Sequence, residues 1–251
     1  LILKKREKQI MKHLLIALLA SLSLTASAQQ KYDDLLALFV DGKYEKCLEK
    51  SEKYTLNDKT SKDALPYLFM SRCYYEMSQR SEFSERFPTA QKECFKYASK
   101  YITKDKNRQY YPEHEDYFVK LRTTVTALAE TDLDNKKWNS CKAYYEHMTK
   151  WDPNDAGALI MMAESLQGAK KGKTDKIIDG LYAKAEKLLQ EKSCSVDNED
   201  QMKFLKYALI YHAEMLNSAA SNSEAQKWIE YGNNWFSDDK EYQVTYKQIT
   251  Q

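Results

Sequence analysis

The chain has 251 residues, of which 43% are hydrophobic and 30% charged, a balance that allows a folded core and excludes a disordered tail. With only 6 glycines and 4 prolines it is poorly suited to tight hairpins or glycine-rich ligand loops, whereas 19 tyrosines and 4 tryptophans provide large amphipathic packing groups. The formal charge of +2 hides a basic front end: residues 1–28 hold Lys4, Lys5, Arg6, Lys8 and Lys12 against Glu7 alone, and the remainder carries 34 basic and 36 acidic side chains, a net −2. No basic stripe is left to neutralise phosphates, which argues against nucleic-acid binding.

In chain order, Met11-Lys12-His13 precedes an apolar run from Leu14 to Leu24 and then Thr25-Ala26-Ser27-Ala28. A short basic region, an apolar core and an A-x-A site predict a secretory signal cleaved between Ala28 and Gln29. The run is shorter than the roughly 20 apolar residues of a membrane span, so no stable anchor is expected after cleavage. No cysteine follows the site to carry a lipid. Residues 1–10 contain no Met and read as translated upstream sequence or an alternative start. The expected organisation is therefore a leader over residues 1–28 and a single domain over 29–251.

Beyond the leader, hydrophobic residues recur at helical spacing. Tyr32, Leu35, Leu36, Phe39 and Val40 mark a first helix, Asp41-Gly42-Lys43 a break, and Tyr44, Cys47, Leu48 and Tyr54 a second helix. A turn at Asn57-Asp58 leads to Leu65, Leu68, Phe69, Tyr74 and Tyr75, and Ser81 to Pro88 interrupts the next stretch. Pro112-Glu113-His114-Glu115-Asp116 reads as a helix start, with Pro in the first turn and acids at the positive end of the dipole. Val125, Leu128 and Ala129, then Asp134-Asn135-Lys136-Lys137, then Trp138, Cys141, Tyr145 and Met148 form the clearest helix–break–helix unit, closed by Trp151-Asp152-Pro153. No stretch alternates polar and apolar residues, so no strand is expected. The five cysteines, Cys47, Cys73, Cys94, Cys141 and Cys194, are odd in number and lack C-x-x-C spacing, and read as small buried hydrophobes. The chain has no N-x-[ST] sequon, which favours a bacterial envelope over a eukaryotic secretory route.

The Val125–Pro153 unit and the stretch Asp41-Gly42-Lys43-Tyr44-Glu45-Lys46-Cys47 resemble the tetratricopeptide repeat (TPR) family. That family alternates bulky and small residues on a first helix, sets an aromatic and then a small residue early on a second, and often ends with Asp-Pro. In register, the small residue late in the first helix is Ser71, Ala129, Ala163 or Ala213, and the bulky residue four places earlier is Tyr67, Val125, Leu159 or Leu209. Leu35 departs from the pattern in the first repeat, as a terminal repeat can. The spacing is also longer than the family's 34 residues, with Cys141 and Ala225 lying 84 apart over two units. The resemblance implies an all-α fold, a right-handed α-solenoid of about five TPR-like hairpins over residues 30–237 with a capping helix at Asp238–Gln251.

No catalytic, cofactor or metal site is legible, and the chain is not expected to be an enzyme. Gly168-Ala169-Lys170-Lys171-Gly172-Lys173-Thr174 has three residues between its glycines where a phosphate loop needs four, and it follows a helix rather than a strand. His114, His147 and His212 show no zinc-ligand spacing, and no serine sits in a G-x-S-x-G elbow. The resemblance points instead to the concave face formed by first helices, where the register sets Arg72, Tyr75, Thr126, Glu130, Glu164, Gln167, Glu214 and Asn217. Three glutamates on successive first helices predict a groove for an extended basic or amide-rich peptide. The function so implied is a protein-interaction scaffold of the cell envelope, in the periplasm; the alternative is a small-molecule or glycan-binding module using tyrosine rings.

Overall fold

The computed structural model describes residues 32–169 and 175–251. The leader over residues 1–28 and the basic loop at 170–174 lie outside them. Among the described residues there are twelve α-helices and no strand. The chain divides into two compact units, one ending at Asn107 and the other beginning at Arg108.

The first unit contains α1 (Asp33–Val40), α2 (Tyr44–Leu56), α3 (Leu65–Ser78) and α4 (Ala90–Lys104). The central helix α3 packs against α1, α2 and α4 and buries nine residues on several sides. A helix enclosed this way must be apolar around most of its circumference, and Leu-Pro-Tyr-Leu-Phe-Met satisfies that. Leu35, Cys47, Phe69, Met70, Cys73 and Met77 meet in one hydrophobic cluster.

The second unit contains α5 (Glu115–Asp134), α6 (Trp138–Trp151), α7 (Ala156–Gly168), α8 (Asp175–Gln190), α9 (Glu199–Ser218), α10 (Asn222–Tyr231), a single-turn α11 (Asn233–Phe236) and α12 (Lys240–Thr250). Here α7 is the buried element: it packs on α6, α8 and α9, and ten of its thirteen residues are buried. Its N-terminus is capped by Asp155, whose carboxylate accepts from Ala158 N at 2.9 Å. Asn198 and Gln201 form a reciprocal capping box on α9, and Asp239 caps α12.

The residues read as a common register behave alike. Ser71, Ala129, Ala163 and Ala213 are all 0% exposed, and Tyr67, Val125, Leu159 and Leu209 are buried four places before them. Small side chains there let the following helix approach closely. In three hairpins a cysteine fills that approach. The Cys47 thiol donates to Leu35 O at 3.4 Å, the Cys141 thiol to Ala129 O at 3.6 Å, and Ser71 Oγ donates to Cys94 O at 2.8 Å. Ala185 and Ala225 are equally buried on α8 and α10. All five cysteines are free and buried.

The breaks repeat as well. After α1, Gly42 N donates to Phe39 O and Lys43 N to Leu38 O, with Gly42 at φ 70°. The same pair of hydrogen bonds forms around Lys136 after α5, Lys192 after α8 and Ala220 after α9, each in the left-handed region. This is the Schellman arrangement, which satisfies carbonyls left open at a helix end.

Two boundaries differ from expectation. Pro112 lies in a 3-10 turn, Tyr111–His114, and the α-helix begins only at Glu115, with Glu115 and Asp116 in its first turn. At the C-terminal end, α11 intervenes and the final helix starts at Lys240, because Asp239 is committed as its cap.

Candidate functional site

The eight residues expected on one face separate into distinct settings. Arg72 and Tyr75 belong to α3 of the first unit, where Arg72 is half-buried and Tyr75 is buried. The other six belong to the second unit. Of these, Thr126 and Glu130 come together with new neighbours in an open cleft of about 250 Å³ between α5 and α9. Glu214 and Asn217 are exposed on α9, roughly 20 Å further along that helix at 1.5 Å per residue.

The cleft is lined by Arg122, Thr123, Thr126, Ala127 and Glu130 from α5 and by Asp200 and Lys203 from α9. Residues 122, 126 and 130 follow one another a helical turn apart, and 123 and 127 flank them, so α5 offers one continuous stripe. Thr123 Oγ1 donates to Asp200 Oδ2 at 2.9 Å, joining the two walls. Lys203 is drawn to Glu199 on its own helix at 2.7 Å. Glu130 has no ion-pair or hydrogen-bond partner among the described residues. Partial burial and the neighbouring Asp134 raise its carboxyl above the usual range.

Arg122 is 7% exposed and is ion-paired with Asp155, and its guanidinium lies 5.2 Å from the Phe204 ring centroid. Its Nε and Nη2 are buried without a hydrogen-bond partner among the described residues. Two open donors on a buried cation are uncommon, since such groups are normally matched. Phe204 continues an aromatic ladder, Tyr145 at 5.9 Å on one side and Tyr207 at 6.3 Å on the other, with Tyr211 a further 6.0 Å from Tyr207. Tyr207 and Tyr211 are half-buried. Tyr207 lies one turn beyond Lys203 on α9, and burial first, then the charge of Glu130, raises its hydroxyl well above its ordinary value.

Glu164 departs from the expected groove. It is 5% exposed, and its Oε1 meets His212 Nδ1 at 2.5 Å and accepts from the Tyr182 hydroxyl at 2.9 Å. The Tyr182 ring stacks on His212 at 4.5 Å, and Trp228 stands edge-on to His212 at 4.7 Å. The cluster ties α7, α8, α9 and α10 together. Gln167 touches it through Tyr182 at 3.4 Å. A carboxylate this deep must be paired, and His212 and Tyr182 are its partners.

Other candidates resolve simply. Gly168 closes α7 against the indole of Trp138, and a Cβ there would lie 2.5 Å from the ring. Among the described residues no three His, Cys, Asp or Glu side chains gather as a metal site, and no helix is long and apolar enough to cross a membrane. Eight of the 19 tyrosines are buried and the other eleven half-buried, so their rings serve mainly in packing. Neither the models of known protein families nor the curated proteins match this chain.

Sequence reasoning missed Arg122, Asp200 and Lys203. Arg122 was within reach, because it lies one turn before Thr126 on the same stripe. Asp200 and Lys203 carry only the signature of a helix start, and their place opposite α5 is a tertiary fact.

Proposed function

We propose that the protein is a non-catalytic interaction scaffold that holds an extended, basic peptide segment of a protein partner in the α5–α9 cleft. The observation that carries this reading is Glu130, a carboxylate in a concave site with no ion-pair partner among the described residues, with the half-buried Tyr207 one turn beyond the cleft's Lys203 on α9. A lysine or arginine of the partner would meet Glu130 and the Tyr207 ring together, combining ion pairing with cation–π attraction. The reading includes the finer architecture, a right-handed TPR-like α-solenoid of about five hairpins. It also includes export to the periplasm by the segment before Gln29. The repeated register and the repeated Schellman turns support the first, and the residue pattern at Met11–Ala28 supports the second.

A second reading, a glycan or small-molecule module, is favoured by Tyr207 and Tyr211, adjacent rings whose hydroxyls make no hydrogen bond among the described residues. Cross-linking separates the two. A photoreactive residue replacing Thr126 in the full chain, irradiated in the native envelope, should trap one stoichiometric protein. It should trap none when Glu130→Lys is added. Recovery of glycan without protein would favour the second reading, and labelling unaffected by Glu130→Lys would remove the cleft from both.

A further inference from the structure

The stripe that Lys203 begins on α9 continues beyond the cleft. Lys203, Tyr207, Tyr211 and Met215 stand four residues apart, so each lies about one turn above the last on one side of the helix. The Tyr207 and Tyr211 ring centroids are 6.0 Å apart, and both residues are half-buried. Their hydroxyls make no hydrogen bond among the described residues. Met215 is 47% exposed. By helical spacing it falls on the side of Phe204, three turns below it, which is only 4% exposed. The side of α9 that packs the core at Phe204 is therefore open at Met215. The other exposed large apolar side chains among the described residues are Leu36, Val40, Leu56, Ile177 and Val244, and none of them is on α5 or α9. An apolar track of two rings and a thioether thus leads away from the acidic cleft along one wall.

We infer that Tyr207, Tyr211 and Met215 form an apolar subsite beside the cleft, and that the bound segment carries a large apolar side chain at a fixed distance from its basic residue. This rests on the reading of the cleft as a peptide site, because Glu130 is what fixes the basic end. Charge complementarity and continuity name the occupant. The acid at Glu130 selects a cation, and the track that leads on from Lys203 carries no charge. Tyrosine rings offer apolar contact at low entropic cost, and a methionine adapts to aliphatic and aromatic partners alike. The helix also sets the spacing. At 1.5 Å per residue, Tyr211 lies about 12 Å and Met215 about 18 Å above Lys203. An extended chain advances about 3.3 Å per residue, so the apolar side chain stands roughly four to five residues from the basic one.

The test selects a random peptide library on the folded full chain and aligns the retained sequences on their basic residue. A large apolar residue should be enriched about four to five positions to one side of it. Met215→Gln, at an exposed position, should keep the basic preference and remove the apolar one. By fluorescence anisotropy it should weaken the best wild-type peptide roughly tenfold. Tyr211→Gln should do the same, with thermal unfolding checking that each variant is folded, whereas Glu130→Lys should remove the basic preference. Basic enrichment with no apolar residue at a fixed spacing, or an apolar preference unchanged in both variants, would overturn the subsite and leave the cleft reading standing. Apolar enrichment without any basic residue would overturn the cleft reading and the subsite with it. Self-association of the wild-type chain in sedimentation, abolished by Met215→Gln, would assign the face to a second copy and overturn the inference.

Discussion

Cys141 lies twelve residues after Ala129, and its thiol points at the Ala129 carbonyl from 3.6 Å; Cys47 repeats this with Leu35, also twelve residues away, at 3.4 Å. Ala213 and Ala225, both 0% exposed, hold the corresponding places in α9 and α10. In each of these three hairpins a left-handed residue falls seven places after the first member: Gly42, Lys136 and Ala220. The same hairpin is thus built three times from different residues, and its common features are a fully buried contact late in the first helix, a left-handed turn and a small residue early in the second.

The turn gives the first prediction. Nothing lies within 4 Å of a Cβ built on Gly42, so substitution there is resisted by its φ of 70° alone. Gly42→Ala should lower stability by about 1 kcal/mol, and Ala220→Gly should raise it by roughly 0.5–1 kcal/mol. Denaturant midpoints at unchanged slope measure both. A loss of stability in Ala220→Gly would contradict the shared turn.

Acid should weaken the second unit through His147. Burial, helped by Lys150, holds its imidazole down at about 4, and its ring stacks on Trp151 at 6.0 Å. The unfolded chain titrates near 6.5, so between those values it binds a proton that the folded chain does not. Stability is therefore full above about pH 6.5 and is lost as pH falls toward 4, by on the order of 2 kcal/mol. His147→Phe should flatten that part of the stability–pH curve, and an NMR titration of the folded chain should find His147 still neutral at pH 5.5.

Removing Glu164 should behave as a core defect. With His212 and Tyr182 bonded to it, Glu164→Ala leaves buried partners unmatched and should cost about 3–5 kcal/mol. Tyr182→Phe removes one hydrogen bond to the carboxylate and should cost about 1–2 kcal/mol. Trp228 lies 4.7 Å from His212, so its fluorescence should change in both variants. Charge reversal at Glu130, which is exposed, should leave stability within about 0.5 kcal/mol.

Asp155 has two tasks, capping α7 through Ala158 N and pairing with buried Arg122. Asp155→Asn keeps a capping oxygen but loses the charge, while Asp155→Ala loses both. Each should destabilise strongly, with Ala worse than Asn by about 1 kcal/mol, the usual contribution of a cap. Equal losses in thermal unfolding would show that the cap contributes nothing here.

Much of the fold was legible because its signals are local. The breaks at 41–43 and 134–137 fall where helices end, and the register of Ser71, Ala129, Ala163 and Ala213 is the buried seam. What escaped depends on distant residues. Only Gly42 announces a left-handed turn; Lys136 and Ala220 adopt it under the demands of the helices on either side. Glu164 looked like a groove residue, since its partners Tyr182 and His212 lie 18 and 48 positions later. The cleft was half visible through Thr126 and Glu130 on one helix, whereas its opposite wall at Asp200 and Lys203 comes from a helix 70 residues away.

The most direct test of the proposed function is selection of a random peptide library on the folded full chain, followed by reselection on the Glu130→Lys, Asp200→Lys double variant. The cleft predicts enrichment of extended peptides carrying Lys or Arg, and loss of that enrichment in the variant. Retained peptides with no preference for basic residues, or a basic preference that survives the double reversal, would contradict it.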